Sequence, residues 1–217
     1  MVNVSKNMGA MINRTVRITT LIAGMLLIGC THNIAVQSIP DFSKTYTDKI
    51  KIKTLLIVSD SISHYVYTGT GSVTVPLGLP LDTWSFPIGQ PTSDLLRKGV
   101  PHIFNEVEVA AETPPANDLK GKKYGLILKP SIESFDFGVS SYNNGWVTIK
   151  YKIEVLDLKD RAVFRKTVTG RGESKVEHFS VGGKTSFGRA ADYAVQNGVN
   201  LLLDSLYESK EIREYRE

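Results

Sequence analysis

Apolar and polar residues alternate most strictly between Val147 and Val155, a period of two that is typical of a strand with one buried and one solvated face. Residues 164–173 show a second alternating run. The stretch 124–137 and the shorter aliphatic or β-branched runs at 52–59 and 107–110 also have the composition of strands. Together these segments predict a sheet of about four to five strands.

A long amphipathic helix is predicted near the end of the chain. Residues 186–207 place small and apolar side chains along one stripe, at i, i+3 and i+4 spacing. Gly170 and Gly172 share one face of the preceding strand and supply no side-chain bulk there. We therefore expect the helix to lie directly on that face, with Ala191 or Ala194 near the two glycines.

A second helix is predicted in the first half of the chain. Thr92, Ser93 and Asp94 offer N-cap oxygens, and apolar residues then recur at helical spacing as far as Phe104. Because Pro101 has no backbone N–H, we expect a kink near the middle of this helix.

The stretch 60–91 combines prolines and glycines with large apolar side chains. Residues 64–67 and 72–75 flank the sequence TGTG, and glycines supply the positive φ angles that tight turns need, so these residues are predicted to pair as a hairpin. The rest is predicted to be an ordered loop that packs its own apolar side chains, because long structureless segments are unusual in compact domains.

These elements predict an α+β fold. We expect an antiparallel or mixed sheet of about four to five strands, packed by two helices on one face, with a Pro- and Gly-rich hairpin-loop insertion. The predicted organisation comprises a signal peptide (1–29), a lipidated N-terminus and tether (30–50), a single domain (51–207) with the insertion at 60–91, and a charged tail (208–217). As a flexible chain, the tether would span roughly 25 Å.

The N-terminal 29 residues are typical of a secretory signal. Residues 1–17 carry only basic charges, and the apolar run that follows is about a dozen residues long, shorter than the ~20 that span a membrane. The sequence 27–30, Leu-Ile-Gly-Cys, resembles the lipobox of bacterial lipoproteins, which implies cleavage before Cys30 and its acylation. By the same resemblance, Thr31 in place of aspartate implies the outer membrane, with the domain on the periplasmic face. An ordinary signal peptide with an incidental cysteine is the alternative.

Charge and cysteine content change once that segment is removed. The formal charge of +4 falls to +1, because Lys6, Arg14 and Arg17 precede Cys30 and no acid does, and 217 less 29 residues leaves 188. We therefore expect no nucleic-acid partner. Cys30 is the only cysteine, so its acylation leaves no thiol for disulfides, metal binding or catalysis.

Motifs for catalysis or cofactor binding are weak. The sequence GGKTS at 182–186 precedes a helix, but a phosphate-binding loop needs a glycine where His178 stands, so no nucleotide is expected. The four histidines are scattered, without the spacing of metal ligands. We expect no metal, no cofactor and no enzymatic activity.

The aromatic and aliphatic segment from Tyr65 to Ile88 is the candidate binding region. Contiguous apolar surface marks interaction sites, and aromatic side chains dominate the energy of buried interface centres. The predicted partner-binding residues are Tyr65, Tyr67, Trp84 and Phe86. The alternative is that this segment folds back and caps the core of the domain.

The order of elements resembles a family of bacterial envelope lipoproteins. The resemblance rests on Ile103-Phe104 before Val107-Glu108-Val109, on the strand at 124–137, and on the strand pair 147–173 before a small-residue helix. It points to YajG-type lipoproteins and, more distantly, to the LPS-assembly and penicillin-binding-protein activator lipoproteins. These lipoproteins have a small α/β domain, and members of the group are non-enzymatic partners of membrane machines or have no known role, so the resemblance implies a non-enzymatic protein.

Two functions are therefore expected. The first is an outer-membrane lipoprotein, attached to the membrane through acyl chains on Cys30, whose periplasmic domain binds another envelope protein as an accessory or assembly factor. The alternative is a periplasmic lipoprotein that binds a lipid or other amphiphile between sheet and helices. A continuous apolar pocket beneath the last helix would favour this alternative.

Overall fold

The structure, a computed structural model, describes residues 31–42, 44–70, 83–140, 144–175 and 183–215. In chain order their elements are β1 (Thr31–Asn33), β2 (Ile50–Ile57), α1 (Asp60–Ser63), β3 (Tyr67–Gly69), β4 (Thr83–Phe86), α2 (Gly89–Ile103), β5 (Phe104–Ala110), α3 (Ala116–Gly121), β6 (Leu126–Val139), β7 (Asn144–Leu156), β8 (Ala162–Lys175), α4 (Gly183–Glu208) and α5 (Lys210–Arg213).

The main sheet has five strands in the order β5-β2-β6-β7-β8. The strand β2 pairs in parallel with β5 and β6, whereas β6, β7 and β8 are antiparallel, so the sheet is mixed. The predicted α+β fold class is confirmed. Since β6 pairs with β2 only over Leu126–Leu128, its later residues project beyond β2 as far as Val139. We call the end where β6 finishes and β7 begins the upper end.

The two long helices α2 and α4 pack on one face of this sheet, as predicted. The alternating apolar side chains of β7 point into the core between sheet and helices, where Val147, Ile149 and Tyr151 are fully buried. A Cβ atom on Gly170 or Gly172 would collide with the backbone of α4. The predicted close approach of this helix to the two glycines is confirmed, and Ala194 is among the residues in contact.

The opposite face of the sheet is not entirely solvated. The short helix α3 covers part of it, and Leu119 packs with Leu55, Ile57 and Tyr124 in a second, smaller cluster. Helices were predicted on one face only. The helix α3 was not predicted, because a single turn and a half leaves too few residues to show a helical period.

A second sheet, in the order β1-β4-β3, was also not predicted. Within it Tyr67 pairs with Phe86 in an antiparallel register. The predicted partner of residues 64–67 was 72–75, which lies outside the described residues. Among the described residues β3 pairs with β4, a pairing that was not predicted, and the insertion also contains the helical turn α1.

The helix α2 differs from its prediction in its start and in the place of Pro101. It begins at Gly89, ahead of the predicted cap, and Thr92 and Ser93 are buried within it. A Cβ atom on Gly89 would collide with the backbone near Ile62, which explains why a glycine stands at this start. Pro101 lies in the last turn of this helix rather than near its middle.

Candidate functional site

An aromatic cluster lies at the upper end, between the small sheet and the projecting part of β6. Its rings pack at centroid distances such as 4.5 Å for Tyr67–Phe135, 4.8 Å for Phe86–Phe137 and 5.0 Å for Trp84–Phe187. Aromatic pairs of this kind add about 0.5–1.5 kcal/mol each beyond the area that they bury. The cluster comprises Tyr67, Trp84, Phe86, Phe135, Phe137 and Phe187.

Strand periodicity explains how these side chains meet. Phe135 and Phe137 are two residues apart on β6 and therefore point to the same face, as do Trp84 and Phe86 on β4. The antiparallel register then sets Tyr67 of β3 opposite Phe86. The cluster thus joins the small sheet to β6, and Phe187 of α4 completes it.

The predicted binding residues divide into two groups. Phe86 is fully buried and belongs to the core, so it offers no surface to a partner. For this residue the alternative of a segment that caps the core describes the structure. Tyr65, Tyr67 and Trp84 are partly exposed at the margin of the core, and their role in binding stays a prediction. We call Tyr67 and Trp84 the aromatic rim.

Trp84 also contacts the beginning of the described chain. The strand β1 pairs in parallel with β4, which sets His32 directly opposite Trp84, and their rings lie 4.5 Å apart. Since Thr31 is the residue after Cys30, the predicted lipidation site is adjacent in sequence to this sheet. Cys30 itself lies outside the described residues, and its acylation stays a prediction.

Residues 34–42 and 44–49, which follow β1, run along α4 and form what we call the strap. The backbone N–H of Gln37 donates to Asp192 Oδ1 at 2.7 Å. Further along, the carbonyl of Asp41 accepts from Gln196 Nε2 at 2.7 Å and from Asn200 Nδ2 at 3.1 Å. The prediction of a flexible tether over residues 31–50 is therefore wrong for the described part of this segment.

The C-terminal part of the strap is bound to α4 by ion pairs and a hydrogen bond to a carboxylate. Lys44 Nζ lies 3.2 Å from Asp204 and 2.9 Å from Glu208, and hydrogen bonds to Glu208 and Asp204 raise the pKa of Lys44. The hydroxyl of Tyr46 donates to Asp204 at 2.9 Å, and burial raises the pKa of Tyr46. Buried Ile34 and Tyr46 add apolar contacts near the two ends of the strap.

The residues of α4 that hold the strap recur every fourth position along one stripe: Asp192, Gln196, Asn200, Asp204 and Glu208. Residues four apart lie on one face of a helix. No role was predicted for these positions. The continuous stripe of polar residues at four-residue spacing is the sequence feature that could have indicated a chain segment bound along this helix.

A separate cluster of polar side chains lies on the opposite face of the sheet. Glu108 accepts from the hydroxyl of Tyr124, and its carboxylate lies 3.0 Å from Lys53 Nζ and 3.1 Å from Lys122 Nζ. The hydrogen bond from Tyr124, followed by those from the two lysines, lowers the pKa of Glu108 to about 2. This arrangement cross-links β2, β5 and the segment after α3.

The described residues contain neither a metal-binding cluster nor a membrane-spanning helix. No group of three or more histidine, cysteine, aspartate or glutamate side chains there is arranged to hold a metal ion. In the same part of the chain, no helix combines the length and the apolar character needed to cross a membrane.

Comparisons with known proteins found similarity only at the level of structure; neither family models nor curated proteins gave a match. The fold is similar to that of protein XCC0632 from Xanthomonas campestris, assigned to the family model DUF330. The TM-score is 0.51 at 13% identity, over 82% of this chain and 94% of that chain. This likeness shows the α+β fold.

Two more distant structures are also similar. Lipoprotein GNA1162 from Neisseria meningitidis gives a TM-score of 0.35 at 10% identity, over 73% of this chain and 99% of that chain. The PelC dodecamer from Paraburkholderia phytofirmans gives 0.33 at 12% identity, over 73% and 93%. These scores are too low to assign a function, and the resemblance to YajG-type lipoproteins stays a prediction.

Proposed function

We propose that this chain is a lipoprotein of the bacterial outer membrane, anchored through Cys30 on the periplasmic face, that binds another envelope protein as an accessory or assembly factor. The lipobox-like sequence supports the anchor. The observation that carries the binding role is the aromatic rim, two partly exposed rings backed by buried phenylalanines, beside the strand that begins at Thr31.

A rim of this kind suits recognition because it is already ordered. Trp84 packs edge-on against Phe137 and Phe187, and Tyr67 stacks on Phe135. Aromatic side chains held in one rotamer lose little conformational entropy on binding. Since the rim lies close to the anchored end, the proposed partner is a protein that is itself at the membrane surface.

We propose no catalytic role. The carboxylate with the most strongly lowered pKa, Glu108, is occupied by Tyr124 and two lysines that cross-link the sheet. A general acid or base would instead need a pKa near the working pH and access to a substrate.

The alternative of an amphiphile held beneath α4 is not favoured by the packing. At Gly170 and Gly172 the backbone of α4 lies directly against β8, and at Gly198 the helix lies against the ring of Tyr151. A ligand cannot enter between helix and sheet along this line without separating them.

The test is site-specific photo-crosslinking in living cells, with a photoreactive phenylalanine analogue placed at Tyr67, Trp84 or Tyr193. Tyr193 is the control, since it is 52% exposed but lies on α4, away from the rim. We expect one discrete protein adduct from positions 67 and 84 and none from 193. Adducts from 193 with none from the rim would contradict the proposed binding surface.

A further inference from the structure

A cleft of about 470 Å³ opens between β1, the strap and the first three turns of α4. It lies at the upper end, because Ser186 in the first turn of α4 donates to the carbonyl of Lys175, the last residue of β8. Polar and charged side chains dominate its lining, including Asn33, Gln37, Lys184, Thr185, Arg189 and Asp192.

The charge in this cleft favours an anion. Lys184 and Arg189 are exposed, and within the described residues neither forms an ion pair with an acid. The one acid in the lining, Asp192, accepts the backbone N–H of Gln37 and is partly buried. The guanidinium of Arg189 and the ammonium of Lys184 outweigh the single carboxylate of Asp192, so the cleft has a net positive charge. Arginine is well suited to bind phosphate oxygens.

The position of the cleft in the domain indicates which kind of anion it would bind. Thr31 is the first residue of β1, and consecutive Cα atoms are about 3.8 Å apart, so an acyl chain on Cys30 would hold this end of the domain at the bilayer. Charges act over about 8 Å at physiological ionic strength. A strap bound along α4 therefore keeps the two cations within reach of the headgroups, whereas a flexible tether would not.

We infer that this cleft binds the phosphate of an anionic phospholipid headgroup in the bilayer that holds the acyl chains, with Arg189 and Lys184 as the binding side chains. The inference rests on the proposed anchor at Cys30. It adds a defined orientation to that proposal: the upper end faces the membrane, and α5, together with the start of β2, faces away from it.

The experiment uses the mature lipidated protein in vesicles of phosphatidylcholine alone or mixed with phosphatidylglycerol. With Cys30 acylated, a single introduced thiol can be spin-labelled selectively. Lys175→Cys reports on the upper end and Lys210→Cys on the far end of α4; both positions are exposed, and both changes remove one lysine. Accessibility to a water-soluble relaxation agent is measured for each label.

We expect the label at 175 to be shielded in vesicles that contain phosphatidylglycerol and the label at 210 to remain accessible. Shielding at 175 should be lost when Lys184→Glu and Arg189→Glu are combined. It should persist in the control Lys51→Glu with Lys123→Glu, which makes the same charge change at another cleft.

Two results would overturn the inference, and each identifies a different step that fails. If the protein floats with the vesicles but both labels stay equally accessible, the anchor holds and the headgroup site is wrong. If the protein does not float with any vesicle, the proposed lipid anchor fails, and the headgroup site fails with it.

Discussion

Gly170 of β8 lies against Gly198 of α4, so that a Cβ atom on Gly170 would come within 2.7 Å of the Cα and N atoms of Gly198. Backbone meets backbone here, and neither side can rotate away as a flexible side chain would. The small residues of both elements therefore set the distance between the helix and the sheet.

We predict that Gly170→Ala destabilises the domain by about 1–3 kcal/mol, because one methyl group must separate two rigid elements. The matched control is Gly121→Ala in α3, where a new Cβ would have no heavy atom within 4 Å. Urea denaturation measures both variants. Equal free energies of unfolding for the two would show that α4 does not pack on β8 as described.

A second prediction concerns the strap. Asp192→Ala removes the acceptor of the Gln37 N–H, and a hydrogen bond to a charged group contributes about 1.5–3 kcal/mol, so exchange of that amide with solvent should accelerate roughly tenfold or more. Tyr193→Ala, on the neighbouring position of α4, should leave it unchanged. Hydrogen exchange followed by NMR gives the readout. If the Gln37 amide of the wild type already exchanges at the rate of a free peptide, the segment is a tether after all.

The third prediction is a pH dependence. The pKa of Glu108 falls from 4.5 to about 2 on folding, so its contacts stabilise the domain fully above about pH 4.5. As the pH falls from there toward 2, the carboxylate is protonated in the unfolded chain while it is still ionised in the folded domain, so this contribution is lost. We therefore expect the wild type to exceed Glu108→Gln in free energy of unfolding at neutral pH, and the difference to shrink as the pH falls toward 2. A constant difference across this range would show that the ion pairs contribute nothing.

The sequence predicted those parts of the fold that follow a regular period. Strict alternation from Val147 to Val155 identified β7, and helical spacing identified α4. The pair Gly170 and Gly172 even indicated which surfaces meet, since missing side chains on a strand require a close neighbour. All of these are properties of contiguous residues, which is why one sequence sufficed to predict them.

The parts that could not be predicted depend on distant pairing. The strand β1 is only three residues long and forms by pairing with Thr83 to Ser85, more than 50 positions away. Similarly, the strap has no period of its own, and its order comes from the polar stripe on α4. Phe86 was predicted to bind a partner. An aromatic residue in a Pro-rich stretch gives the same sequence pattern whether its side chain covers the domain's own core or contacts another protein.

The lipid anchor at Cys30 underlies both the proposed location and the proposed membrane orientation, and an intact mass of the mature protein purified from membranes tests it directly. We predict a chain that begins at Cys30, heavier than the 188 unmodified residues by the mass of its acyl groups, and a Cys30→Ser variant that is absent from this fraction or remains uncleaved. A mature chain that begins elsewhere, or that carries no acyl mass, would contradict the lipoprotein assignment and the membrane orientation derived from it.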